Sequence, residues 1–109
     1  MLTSYILSNG GATIDKNGKI TTLKSGYQVS KKDCLKLPIS QFNETTITSV
    51  LGQGLKRGEY AGFWLEDGYI YGDISMRIAT KHKAIKMGCE LNQIAIWDWR
   101  KSQSVYCKA

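Results

Sequence analysis

Only one histidine, one proline and three cysteines occur among the 109 residues, and each scarcity closes off a class of chemistry. With His82 alone, a multi-histidine metal site is impossible, and no metal is expected. Cys34, Cys89 and Cys107 are odd in number and lack paired spacing. They match neither a disulfide framework nor a CxxC zinc or redox site, so all three are read as structural or incidental thiols in a reducing cytoplasm. No apolar run approaches the roughly 20 residues that span a bilayer, which excludes a helical membrane protein. The opening residues, Met1-Leu-Thr-Ser-Tyr-Ile-Leu-Ser, lack a basic stretch followed by a sustained apolar one. The expectation is a protein that works where it is made. The glycines form neither GxGxxG after a strand nor GxxxxGK[ST], so no phosphate cradle, and no cofactor, is expected.

What is present is charge, unevenly placed. The net charge is +6. Residues 1–57 carry eight Lys and Arg against three acids, and residues 76–109 carry seven against two. Between them, residues 58–75 hold Glu59, Glu66, Asp67 and Asp73 with no base. Such segregation fits an anionic partner, either nucleic acid or an acidic protein surface, and equally fits plain solubility.

The pattern predicts an α+β fold: an antiparallel sheet of short strands and hairpins with two helices packed against it, in one domain over residues 1–109. Thr3–Ser8 is rich in strand formers and meets a turn at Asn9-Gly10-Gly11. A second turn at residues 15–18 and the alternation of residues 26–30 complete a predicted β-meander. The chain must turn at Pro38. Ile47, Val50, Leu51, Gly54 and Leu55 then recur at helical spacing, with Ser40 or Asn43 as cap and Gly58 as stop. Residues 60–65 and 69–73 flank Asp67-Gly68, a strong hairpin signal, which sets Phe63 and Leu65 opposite Trp64. A helix over residues 81–91, with Thr80 as cap, presents Ala84, Met87, Gly88 and Leu91 on one face. Residues 94–98 and 105–107 form a last hairpin with Trp97 and Trp99 on the same side. The aromatic-rich second half is expected to hold the core, Trp97 included.

No catalytic set emerges. His82 and Cys89 share a side of one helix, but no orienting group or oxyanion motif accompanies them. The four clustered acids read as a solvated turn in preference to a metal or acid–base site, and Ser75 lacks a nucleophile elbow. The best binding candidate is a basic face formed by Arg77, Lys83 and Lys86, joined by Arg100 and Lys101, with Trp99 or Trp97 available to stack on bases or on a partner's side chains.

The run from Gly62 to Ser75 (Gly-Phe-Trp-Leu-Glu-Asp-Gly-Tyr-Ile-Tyr-Gly-Asp-Ile-Ser), with Ala84 and Asn92-Gln-Ile-Ala-Ile-Trp-Asp98, resembles small uncharacterised accessory proteins of Gram-positive bacteriophages and mobile elements. The likeness covers roughly residues 58–106. It implies a non-enzymatic binding protein that acts on a host protein or nucleoprotein complex in the host cytoplasm, for instance as a counter-defence inhibitor. Mimicry of DNA is argued against by the positive charge. The alternative is direct binding of single-stranded nucleic acid, which predicts steep salt dependence. Exposed edges of short strands make a homodimer a further expectation.

Overall fold

The computed structural model describes residues 1–107; the domain expected over residues 1–109 reaches two residues past them. Its centre is the Asp67–Gly68 hairpin. Both turn residues have positive φ, 51° and 80°, the two-residue geometry whose twist matches that of the flanking strands. In our chain-order labels these strands are β3 (Glu59–Glu66) and β4 (Tyr69–Ile78), paired from Glu59↔Met76 to Glu66↔Tyr69. Strand β1 (Gly11–Ile14) lies outside β3. On the other side β4 pairs with β2 (Tyr27–Pro38) over its whole length. Strand β5 (Ala95–Asp98) joins β2 through two register pairs, Tyr27↔Asp98 and Gln28↔Trp97, and β6 (Gln103–Tyr106) closes the far edge. The result is one six-stranded antiparallel sheet in the order β1-β3-β4-β2-β5-β6, which bears out the α+β class.

Three helices and a 3₁₀ turn (Ile39–Gln41) accompany the sheet. Helix α2 (Glu44–Leu51) starts at the predicted Asn43, whose side chain accepts from Thr46 N while Thr46 Oγ1 accepts from Asn43 N. It ends at Gly52, short of the expected Gly58, and Gly54 already lies in the left-handed region at φ 83°. Helix α3 (Lys81–Glu90) falls almost where predicted, although Thr80 makes no side-chain capping bond and Leu91 is exposed.

The first element is a correction. Residues 2–9 form a helix, α1 (Leu2–Asn9), in place of the predicted strand. Strand formers such as Thr3 and Tyr5 lower helix stability by only tenths of a kcal/mol each, whereas burying Ile6 completely contributes about 2 kcal/mol. Thr3 also donates its backbone N–H to Glu44 Oε2 at 2.7 Å, tying α1 to α2. The predicted meander shrinks to β1 and a single bridge, Ile14↔Ile20.

The core lies on one face of the sheet, in two clusters. Ile6, Ile14, Phe42, Ile47, Val50, Ala61, Phe63, Ile70 and Ile74 pack under α1 and α2. Val29, Ala84, Ile96 and Cys107 pack under α3. Aliphatic residues dominate both; the aromatic-rich ribbons do supply core, through Ala61, Phe63, Ile70, Ile74 and Ile96, but Trp97, expected there, does not join it. Alternation along the strands explains it: Phe63 faces the helices and Trp64 faces away, as Ile96 faces α3 and Trp97 does not. All three tryptophans line the opposite side of the sheet.

Candidate functional site: an aromatic trough on the open face of the sheet

Two irregularities in β2 shape the open face. The register shifts between Ser30 and Lys32 and again between Asp33 and Leu35, and each extra residue bends the strand and increases its twist. The sheet curls: residues from all six strands, including both edges, surround one cavity of about 670 Å³. That volume is typical of a small-molecule or side-chain site. Tyr5 of α1 and the Ile20–Thr22 segment close the β1 side, and Gln93, Trp97 and Trp99 close the other.

The walls are aromatic. Trp64 and Trp97 each remain 38 % exposed, and Tyr5 40 %. Trp64 stacks on Tyr71 with ring centroids 5.3 Å apart and planes 10° from parallel. Trp97 meets Trp99 edge-on at 6.5 Å. The floor is polar and fixed by a relay: Trp99 Nε1 donates to Gln28 Oε1 at 2.9 Å, and Gln28 Nε2 donates to Ser75 Oγ at 2.9 Å. Half-buried polar groups joined this way, on the buried Ser75, restrain one another's rotamers and so the Trp99 ring.

The charge of the trough is opposite to that of the protein. Among the described residues its charged lining is Asp33 and Asp73, register partners on β2 and β4, with no Lys, Arg or His. Asp73 is only 7 % exposed and has no ion pair among the described residues. Its carboxyl is pushed up to about 6, mainly by burial, with the neighbouring Asp33 charge adding to the rise. The backbone of Gly62 and the nearby Ser30 hydroxyl moderate it, yet Ser30 Oγ is buried and meets full hydrogen-bond geometry with nothing. Gly62 makes room for this carboxyl, since a Cβ there would sit 2.5 Å from Asp73 Oδ1.

The basic face expected from the sequence is divided. Lys83 and Lys86 are exposed on α3, which packs on the Val29–Ile96 side of the sheet, whereas Trp97 and Trp99 belong to the trough side. Arg77 is committed elsewhere: its Nε donates to Ser25 O at 2.8 Å, and Nη2 to Ser25 Oγ at 3.2 Å. Trp99, Arg100 and Lys101 stay together at the β5–β6 turn, where Asp98 Oδ1 accepts from the backbone N–H groups of both basic residues. The lysine-plus-tryptophan platform that single strands favour is therefore not assembled on one face.

The four acids do not form one solvated turn. Glu59 is buried, paired with Lys31, and accepts from Lys56 N at 2.8 Å; these bonds hold its carboxyl below the usual value. Asp73 lies in the trough, and only Glu66 and Asp67 are solvated at the tip. Among the described residues no three His, Cys, Asp or Glu side chains gather as metal ligands. Cys89 Sγ donates to Cys107 O at 2.9 Å, while His82 is exposed. Burial raises the Cys34 thiol above its ordinary value, which keeps it protonated and poorly nucleophilic.

Asp33, Gln28 and Ser30 were not singled out from the sequence, and Asp73 was read there only as part of a solvated acidic turn. A signal existed in the alternation of Tyr71, Asp73 and Ser75 against Ile70, Gly72 and Ile74, which marks a polar face; that the face is enclosed depends on the curl. No helix among the described residues is long and apolar enough to cross a membrane. Comparison with protein-family models, curated proteins and solved structures finds no match to this chain.

Proposed function

We propose that this chain is a non-enzymatic binding protein whose recognition surface is the trough, and that the occupant comes from a host protein, in keeping with the resemblance to phage and mobile-element accessory proteins. The observation that carries this reading is the placement of all three tryptophans on the open face around one cavity, away from the core they would otherwise stabilise. Large rings left half-exposed around a concavity are the usual anchors of binding interfaces. That no nucleophile–base pair occurs among the described residues supports binding over catalysis, because Cys89 is bonded to a carbonyl and the Ser75 hydroxyl accepts from an amide. An inhibitor role in counter-defence is one form such binding would take.

The test is affinity capture from a Gram-positive host lysate with three baits: the native chain, Trp97→Ala, and the double variant Lys83→Glu/Lys86→Glu. The expected outcome is specific capture by the native chain and the lysine variant, and loss with Trp97→Ala while its melting temperature stays well above the assay temperature. Capture that survives Trp97→Ala and disappears with the lysine variant, or no specific capture by any bait, would overturn the proposal. Nuclease treatment of the lysate is expected to leave capture unchanged.

A further inference from the structure

The trough combines three properties that bear on the ligand it would take. It is walled by aromatic faces, its charged lining among the described residues is two carboxylates, and it belongs to a protein whose net charge is +6. An acid as buried as Asp73 ordinarily has a cation beside it, because removal from water disfavours the charged form unless a counter-charge compensates. Glu59 shows this chain following that rule, with Lys31 against it. Asp73 departs from it. The hydroxyl of Ser30, in the same cavity, also keeps unused hydrogen-bonding capacity.

From this geometry, and resting on the reading of the trough as the recognition surface, we infer that the ligand is an organic cation: an ammonium or guanidinium group on an apolar or planar body, held at Asp33 and Asp73 between the Trp64 and Trp97 walls. Each part of the cavity then has a task. The carboxylates accept the cation's N–H bonds, and charge-assisted bonds of this kind are the stronger ones. The indole faces attract positive charge through their quadrupoles. The apolar remainder of the cavity takes the body of the ligand. A phosphate or carboxylate ligand is disfavoured, since both charges it would meet are negative.

One chemistry here has two sources, a free small amine or the Lys or Arg side chain of a partner protein, and the titration separates them. The probes are phenethylamine and agmatine for the free amines, and acetyl-Gly-Arg-Gly-amide for the side chain. The neutral counterparts are 2-phenylethanol and the same peptide with citrulline in place of arginine. Binding is followed by calorimetry and by tryptophan emission in low salt at neutral pH. Saturable binding of a cationic probe is expected, with its neutral counterpart at least about tenfold weaker. Tighter binding of the free amines assigns the site to a small metabolite, and tighter binding of the arginine peptide assigns it to a protein.

Asp73→Asn keeps the shape of the side chain and removes its charge, and is expected to weaken the cation by about tenfold or more. Trp64→Leu is expected to weaken it several-fold through loss of the ring face. Circular dichroism confirms that each variant is folded. Should neutral and charged probes bind alike, or Asp73→Asn leave cation affinity unchanged, or no cationic probe bind in the millimolar range, the inference falls. If the cations fail while Trp97→Ala still abolishes capture from lysate, the surface stands and only the ligand class is wrong.

Discussion

At the scale of single residues, Asp73 carries the sharpest prediction, because its contribution to folding has an unusual sign. Its carboxyl rises from the ordinary 3.8 to about 6 on folding. Between those values the folded state binds more protons than the unfolded one, so the contribution of Asp73 is most favourable below about pH 4 and is lost as pH rises through 6. The change amounts to about 3 kcal/mol at most. Asp33 on β2 and the Cys34 thiol are the titratable groups facing it. Asp73→Asn should therefore raise the melting temperature at pH 7 and flatten the decline between pH 4 and 6, as scanning calorimetry across that range would show. Glu59 acts in the opposite sense. Its depressed carboxyl stabilises above the ordinary 4.5 and ceases to do so as pH falls below it. The two groups limit stability from opposite sides, Glu59 as pH falls and Asp73 as pH rises through about 6; an Asp73→Asn profile no flatter than the native one would show that the Asp73 carboxylate is better compensated than its surroundings indicate.

At the scale of elements, most of what the sequence announced is what short-range chemistry controls. The Asp67-Gly68 turn, the Asn43 cap and the span of α3 were legible because each depends on a few adjacent residues. Residues 2–9 were not, because their helix is decided by Ile6 and by the bond from Thr3 to Glu44, contacts 41 residues apart in the chain. Strand β2 was read only in part, since Ser30 to Leu35 contains two irregularities that break strict alternation. Helix α3 depends on close approach: a Cβ at Gly88 would lie 2.6 Å from Cys107 Sγ and 2.9 Å from Ile96 Cγ2. Alanine favours a helix over glycine by about 1 kcal/mol, but overpacking costs typically 1–3 kcal/mol. Gly88→Ala is thus expected to destabilise by about 1 kcal/mol on balance, read as a lower urea midpoint at unchanged slope. A stabilised variant would show that α3 can lift off β5 freely.

At the scale of the whole molecule, composition was legible and arrangement was not. Net charge suggested a basic interaction face, while the curl of the sheet gathers two carboxylates where the concave surface lies. Nothing local in Asp33 or Asp73 reveals that they meet, because their pairing is a property of how β2 and β4 align. The tryptophans were visible and their side of the sheet was inferable by alternation, yet which side faces the helices is settled only by packing. The same assembly also makes the two walls of the trough mechanically unequal. Trp64 stands on a strand hydrogen-bonded along both flanks, whereas Trp97 belongs to a hairpin fastened to the body by two register pairs with β2. Ile96 and Cys107 also pack this hairpin under α3, and the Trp99 backbone N–H donates to Gly26 O, yet any opening is expected at the Trp97 wall before the Trp64 wall, and the gap between the indoles would then adjust to guests of different girth. Amide exchange should accordingly be fast along Ala95–Asp98 and slow along Ala61–Phe63, and a bound guest should slow the former selectively.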